Sequence, residues 1–329
     1  MGSTKIEWAR NPDGSKGKTW NPITGCSPIS PGCDHCYAAS VAKRFWKGRK
    51  FSDIGFMSDK ILSQPLHWKK PQRVFVGSMT DIFHQDIPTW WLDKIFGIMA
   101  QANWHTFLIL TKRPERMKQY IESCQLGADA IGGRFPWKHI WLGVTAENQE
   151  QADKRIPILL QIPAAVRFVS VEPMLGPVDL TEIKVPSEYD RLNISGFSPS
   201  RFNSLTEQYD DVHYHQPPAA LDWVICGGES GPGARPVHPD WVRDLRDQCV
   251  AAGTPFLFKQ WGEWQDGSDP DGKYSVVLNN GNHYLNTRLA TQEERANWHK
   301  LKPTAMAKVG KKKSGRLLDG VIWDQYPEV

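Results

Sequence analysis

Thr106-Phe107-Leu108-Ile109-Leu110-Thr111 is an unbroken apolar run held between two threonines, and Lys112-Arg113-Pro114 follows at once. A half-buried strand would alternate apolar with polar residues. This one does not, which marks a strand covered on both faces, as in a parallel sheet. Proline suits the first turn of a helix, so a helix is expected from Pro114 to about residue 123. This is one β–α unit, and it recurs. Upstream, Arg73-Val74-Phe75-Val76-Gly77-Ser78-Met79 reads as a strand and 90–102 as the amphipathic helix after it. Downstream, His139-Ile140-Trp141-Leu142-Gly143-Val144-Thr145 precedes a helix over 150–160, and Val166-Arg167-Phe168-Val169-Ser170-Val171 ends in Glu172-Pro173. Trp223-Val224-Ile225-Cys226-Gly227-Gly228 precedes a helix over 240–252, and Pro255-Phe256-Leu257-Phe258-Lys259-Gln260 closes the series.

Repeated β–α units build either an open doubly wound sheet or a (β/α) barrel. Six strands are readable, with a weak seventh around 20–23, and a full barrel has eight. The expectation is an α/β fold, a partial (β/α) barrel of about six parallel strands over residues 1–265. It carries an N-terminal cysteine loop and a polar surface insertion at about 181–221. Beyond Trp264 the repeat stops. Residues 266–273 read as a turn-rich linker and 291–300 as a short helix, within a C-terminal extension over 266–329 that packs on the barrel.

The chain has 329 residues, 40% hydrophobic and 23% charged, with a net charge of +4. That is ordinary globular composition. No apolar run approaches the roughly 20 residues of a membrane span, and the polar N-terminus has no secretory h-region. Six cysteines are too few for a disulfide framework in a chain this long, so a reducing cytoplasm is expected. Many of the 15 tryptophans stand beside Lys or Arg, as in Arg44-Phe45-Trp46-Lys47-Gly48-Arg49-Lys50 and His67-Trp68-Lys69-Lys70. Such interleaving suits nucleic acid, through phosphate contacts and stacking. It equally suits a solvated rim over aromatic packing. Lys311-Lys312-Lys313-Ser314-Gly315-Arg316 carries the same two readings, a phosphate grip or a solvated tail.

The chemistry centres on Gly25-Cys26-Ser27-Pro28-Ile29-Ser30-Pro31-Gly32-Cys33-Asp34-His35-Cys36-Tyr37. Three cysteines cannot all pair among themselves. Three thiolates can hold three irons of a 4Fe–4S cluster, leaving one iron open, or fill most of a zinc site. Zinc needs a fourth ligand, and His35 lies cramped between Cys33 and Cys36. A helix is expected to begin around Cys36, where its N-terminus favours thiolate charge. Active sites of barrel and open α/β sheets form at the C-terminal ends of the strands. Those ends are polar here: Ser78, Thr80 and Asp81; Thr111, Lys112 and Arg113; Thr145, Glu147 and Asn148; Ser170 and Glu172; Glu229 and Ser230; Lys259 and Gln260. Gly227-Gly228-Glu229-Ser230-Gly231 is a phosphate cradle or an ordinary turn.

The cysteine loop heading a partial (β/α) barrel resembles the radical S-adenosylmethionine (SAM) enzymes. More narrowly, Trp20-Asn21-Pro22-Ile23-Thr24-Gly25-Cys26, Pro31-Gly32-Cys33, His35-Cys36-Tyr37-Ala38 and Gly315-Arg316-Leu317-Leu318-Asp319-Gly320 resemble a three-cysteine, radical-SAM-like family carried by phages and mobile elements, whose function is unsettled. The resemblance implies that Cys26, Cys33 and Cys36 hold a 4Fe–4S cluster and that SAM is the second cofactor. It implies a SAM ammonium site at Ser78, Thr80 and Asp81, and ribose or carboxylate contacts from Thr145, Glu147, Asn148 and Glu172. An electron donor such as a flavodoxin or ferredoxin is the implied partner. The substrate reading is a nucleic-acid base, DNA favoured, for modification or repair. A peptide or small-molecule substrate, or a binding protein with a structural metal, are the alternatives. The superfamily's common spacing is three residues, then two; here six separate Cys26 from Cys33 and two separate Cys33 from Cys36. Its usual aromatic residue before the last cysteine is replaced by His35, with Tyr37 just after. Cys226, Tyr37 and Tyr274 are the candidate hydrogen-atom donors.

Overall fold

Seven parallel strands make the main sheet, in chain order from one edge to the other. They are β1 (Lys18–Trp20), β2 (Arg73–Val76), β3 (Thr106–Thr111), β4 (Ile140–Thr145), β5 (Val166–Val171), β6 (Trp223–Gly227) and β7 (Phe256–Gln260). The computed structural model describes residues 3–126, 135–184, 201–206, 208–209, 219–267, 274–284 and 290–328. The strand order never reverses, so right-handed crossovers put the connecting helices on one face and the sheet curls into an open half-barrel. The sheet has one strand more than the six readable runs. β1 overlaps the weak 20–23 candidate at Trp20, begins two residues earlier and is only three residues long. Trp20 is its anchor, fully buried, with the indole N–H donating to the Ile61 carbonyl at 2.9 Å.

The helices follow the expected repeat: α1 (Tyr37–Phe45), α2 (Thr89–Gln101), α3 (Pro114–Leu126), α4 (Gln149–Leu160) and α5 (Pro239–Ala252). Within the strands, alternate side chains serve different cores, because successive residues point to opposite faces. Val74, Phe107, Ile109, Leu142, Val169, Val224 and Phe256 pack outward in one cluster with Leu92, Ile95, Phe96, Ile156 and Leu245 of the helices. Leu108, Trp141, Phe168, Trp223, Ile225 and Leu257 point inward, where Trp8, Ala9 and Tyr326 join them. Both faces are apolar, which is why the sequence runs showed no alternation.

That inward cluster fills only the lower half of the half-barrel. The Arg73 guanidinium lies 5.5 Å from the Trp141 ring and 4.1 Å from that of Tyr326. The Tyr326 hydroxyl donates to the Glu7 carbonyl at 2.9 Å, and the Trp223 indole donates to that of Gln325 at 2.9 Å. The open edges are covered by segments from outside the repeat. Ser3 bridges Lys18 on β1, and Asp324 bridges Leu257 on β7.

The expected insertion holds structure of its own. Ile183–Lys184, Arg201–Asn203 and Gln208–Tyr209 form a three-stranded antiparallel sheet, while 185–200, 207, 210–218 and part of the expected 266–273 linker lie outside the described residues. After Trp264 comes a four-stranded antiparallel sheet of β8 (Trp264–Asp266), β9 (Tyr274–Val277), β10 (His283–Tyr284) and β11 (Thr304–Lys308). It packs on the barrel: the Trp241 indole donates to the Asn279 side chain at 2.8 Å, and Met306 and Val277 join the outward core. The single helix expected at 291–300 is two short ones, Gln292–Ala296 and Trp298–Leu301.

Gly143 on β4 leaves room for the inward Phe168 ring, whose atoms would lie 2.5 Å from a β-carbon there. Phe168 is fully buried and cannot swing away. Gly143→Ala is expected to cost about 1–3 kcal/mol, seen as a lower urea midpoint at unchanged slope. Gly97, within α2, has open space around a built β-carbon. Gly97→Ala is expected to stabilise by about 0.5–1 kcal/mol in the same assay.

Candidate functional site

The cysteine loop crosses the C-terminal mouth of the half-barrel, between the short ladder Ile23–Thr24/Gly55–Phe56 and helix α1. Few of its side chains are buried, so apolar packing does not hold it; polar anchors from three strand ends do. After β2, Asp81 accepts from the Phe83 and Lys112 amides at 3.0 Å, from the Thr111 hydroxyl at 2.7 Å and from Arg113 Nη1 at 3.1 Å. Arg113, thus fixed, donates Nη2 to the Ser27 carbonyl at 2.9 Å and places Nη1 3.8 Å from Cys26 Sγ. After β4, Glu147 pairs with Arg155 at 2.8 Å and accepts from the Gly32 amide at 3.0 Å. Glycine eases that approach, since a β-carbon at Gly32 would meet the Glu147 carboxyl carbon at 3.0 Å, closer than an ordinary contact. After β6, Glu229 pairs with Arg235 at 2.7 Å, and Arg235 reaches the Pro31 carbonyl at 2.9 Å and Asp34 at 3.3 Å. His84 Nε2 and Ser27 Oγ share a hydrogen bond of 2.6 Å, and Thr80 donates its hydroxyl to the Gly25 carbonyl.

Beside the loop, a cavity of about 730 Å³ occupies the upper half of the half-barrel. Its wall includes His35, Cys36 and Tyr37 from the loop, and Ser78, Lys112, Thr145, Ser170, Glu172, Glu229 and Lys259 from the strand ends. Residues 3–8 form part of it, and so does Lys311. Glu172 and Lys259 pair along its wall at 2.6 Å, over Gly227 of the strand between them.

The expected site residues therefore divide. Ser78, Thr145, Glu172, His35, Tyr37 and Cys36 line the cavity. Thr80, Asp81 and Glu147 do not line it; they mount the loop. Asp81 has all its described acceptor capacity committed to protein donors, which leaves it serving Arg113. Asn148 caps α4, accepting from the Gln151 amide at 3.0 Å. The glycine-rich segment 227–231 is a packing turn: a β-carbon on Gly228 would stand 2.1 Å from the Trp261 carbonyl oxygen. Of the candidate hydrogen-atom donors, Tyr37 lines the cavity; Cys226 points outward, 3.7 Å from Met174 Sδ, and Tyr274 lies in β9. Sequence reading missed Arg155, Arg235, His84 and the wall given by residues 3–8. Arg155 had a weak signal, a cation directly abutting the apolar run Ile156-Pro157-Ile158-Leu159-Leu160, though Lys154 beside it blurs that signal.

All three loop cysteines are unpaired and half-buried. In this arrangement no three His, Cys, Asp or Glu side chains among the described residues stand close enough to share a metal ion. The donor chemistry fits an iron–sulfur cluster: three soft sulfur ligands on one anchored loop, with the Arg113 guanidinium beside Cys26 to offset anionic charge. Burial and the Asp81 carboxylate push the Cys26 thiol up, against the opposing pull of Arg113. Burial would also raise Glu147, but Arg155 and Lys112 outweigh it and hold the carboxyl below its usual range.

A depressed carboxyl stabilises the fold above its unfolded pKa of about 4.3, and that contribution is lost as pH falls through the folded value. Arg155→Met strands a buried carboxylate and is expected to cost about 3–5 kcal/mol at pH 7 by urea unfolding. The gap to the unaltered protein is expected to narrow steadily as pH falls from neutral, because the stranded Glu147, raised by burial, takes up its proton in the variant well before it does in the unaltered protein. A pH-independent gap would contradict this account of the pair.

No curated protein matches the chain, and no solved structure does. A family profile described as a protein of unknown function, DUF5131, matches residues 3–327. That span covers the half-barrel, the cysteine loop, the cavity wall and the C-terminal sheet, so the chain belongs to the DUF5131 family.

Proposed function

We propose that the protein is a radical SAM enzyme, with Cys26, Cys33 and Cys36 holding a 4Fe–4S cluster. One observation carries the reading. A loop with three free thiols is fixed by buried ion pairs at the C-terminal mouth of a parallel half-barrel, against a cavity of about 730 Å³ walled by polar strand ends. When bound, the cluster and SAM supply one-electron cleavage of the sulfonium and, from it, hydrogen-atom abstraction. The chain's part is to bind, orient and exclude water. Ser78, Thr145 and Glu172 offer hydrogen-bonding groups to SAM's polar end, and His35, beside Cys36, offers a ring face to its adenine. Asp81, Thr80 and Glu147 serve the loop instead. The apolar floor of Trp8, Phe168 and Trp223 closes the cavity from below and keeps it dry on that side. A small electron-transfer protein of the flavodoxin or ferredoxin kind supplies the electron, and the substrate is a nucleic-acid base, DNA favoured.

Anaerobic reconstitution with iron and sulfide is expected to load about four irons per chain. Serine at Cys26, Cys33 or Cys36 is expected to abolish that loading while leaving the thermal unfolding transition cooperative. Dithionite and SAM should then yield 5′-deoxyadenosine. A loaded protein that makes none above background, with cysteine variants that unfold, would instead indicate a structural metal.

A further inference from the structure

The cavity mouth carries a cluster of cations that the proposed chemistry does not use. Lys5, Lys112 and Lys311 line the cavity, and Lys312 and Lys313 share the short turn Lys311–Ser314. Among the described residues the lysines with a carboxylate within 4.0 Å are Lys118, Lys154, Lys259 and Lys302, and none of these five. The run is mounted on the protein and does not trail in solvent. Ser314 is buried and donates its hydroxyl to the Gly262 carbonyl at 2.6 Å. The Val309 and Gly310 amides both donate to the Glu263 carbonyl at 3.0 Å, and the Trp261 amide donates to that of Gly315 at 3.2 Å. Three lysines carried on one anchored turn, without acid partners, repel one another, and a polyanion removes that repulsion.

An exposed ring accompanies them. Tyr37, 66% exposed, lines the same cavity. Ring faces beside cations suit bases and phosphates together. A cavity of about 730 Å³ takes a group of small-molecule size and excludes a duplex.

We infer that this mouth binds a single-stranded polynucleotide, or a strand with one nucleotide turned out of its stack, with phosphates on Lys311, Lys312 and Lys313 and a base passing Tyr37 into the cavity. The inference rests on the proposed reading only in taking this cavity as the substrate site. Its test needs neither SAM nor reductant, so a failure of binding and a failure of radical chemistry are separable.

Fluorescence anisotropy with labelled 20-nucleotide DNA and RNA strands, titrated with salt, reads the contacts directly. Each phosphate contact on a single strand adds about 0.7 to the slope of log affinity against log salt. The K311Q/K312Q/K313Q variant is expected to lose about 2 from that slope and to bind at least about tenfold more weakly at 0.1 M salt. Tyr37→Ala is expected to weaken binding roughly 5- to 100-fold with the slope unchanged, since stacking releases no counterions. K69Q/K70Q, before β2 at the far end of the half-barrel, should bind like the unaltered protein. Tight binding of either sugar supports the inference. It is overturned if the triple variant keeps its slope, if K69Q/K70Q loses as much, or if a nucleoside monophosphate competes as well as the strand.

Discussion

The cysteine loop is held by electrostatics at three places, and the rest of the site depends on that grip. Asp81–Arg113, Glu147–Arg155 and Glu229–Arg235 rise from the ends of different strands, and each sends one group onto a different part of the loop. Buried pairs of this kind add little net stability, because desolvation offsets most of their attraction. What they supply is position. The loop buries too little apolar surface to hold a shape alone, and a carboxylate already saturated by amides gives its arginine a fixed direction. Spacing between the thiols is therefore a property of the whole sheet edge. A change in the sheet's curl would move three anchors by different amounts.

The cavity exists because the interior is filled unevenly. Aromatic rings pack the lower half, where Trp8 and Tyr326 enter from outside the repeat. Above them the inward positions switch from Leu, Ile and Phe to Thr145, Ser170, Glu172 and Lys259 within one or two residues of each strand's end. Glu172 and Lys259 neutralise each other along one wall, so it stays polar without an isolated buried charge.

Much of this was readable from sequence. The continuous runs of β3, β4 and β5 gave a parallel sheet with boundaries right to within a residue, because both faces of those strands are buried. The strand ends gave a polar mouth, but taken together they mixed two populations. Period-2 parity separates them. Positions in step with Phe168 and Leu257, such as Ser170, Glu172 and Lys259, face the cavity, while Thr111, out of step, turns outward to Asp81. β1 showed only as a weak signal at 20–23, displaced by two residues, because three residues carry no periodicity. Arg235 and Lys311 join the site through contacts more than 30 residues from their sequence partners, and no local pattern encodes those.

An incomplete barrel has a difficulty that a closed one lacks. Its first and last strands each present a row of unpaired amides and carbonyls, a template for another chain to extend. Here Ser3 and Thr4 lie along β1, and residues 323–325 lie along β7, bonded to Phe256 and Phe258. The same segments carry Glu7 and Tyr326 to the floor of the interior. Shielding the sheet against self-association and completing the chamber are thus one task done by the same few residues. Damage to them would show first as aggregation, ahead of any change at the cysteines.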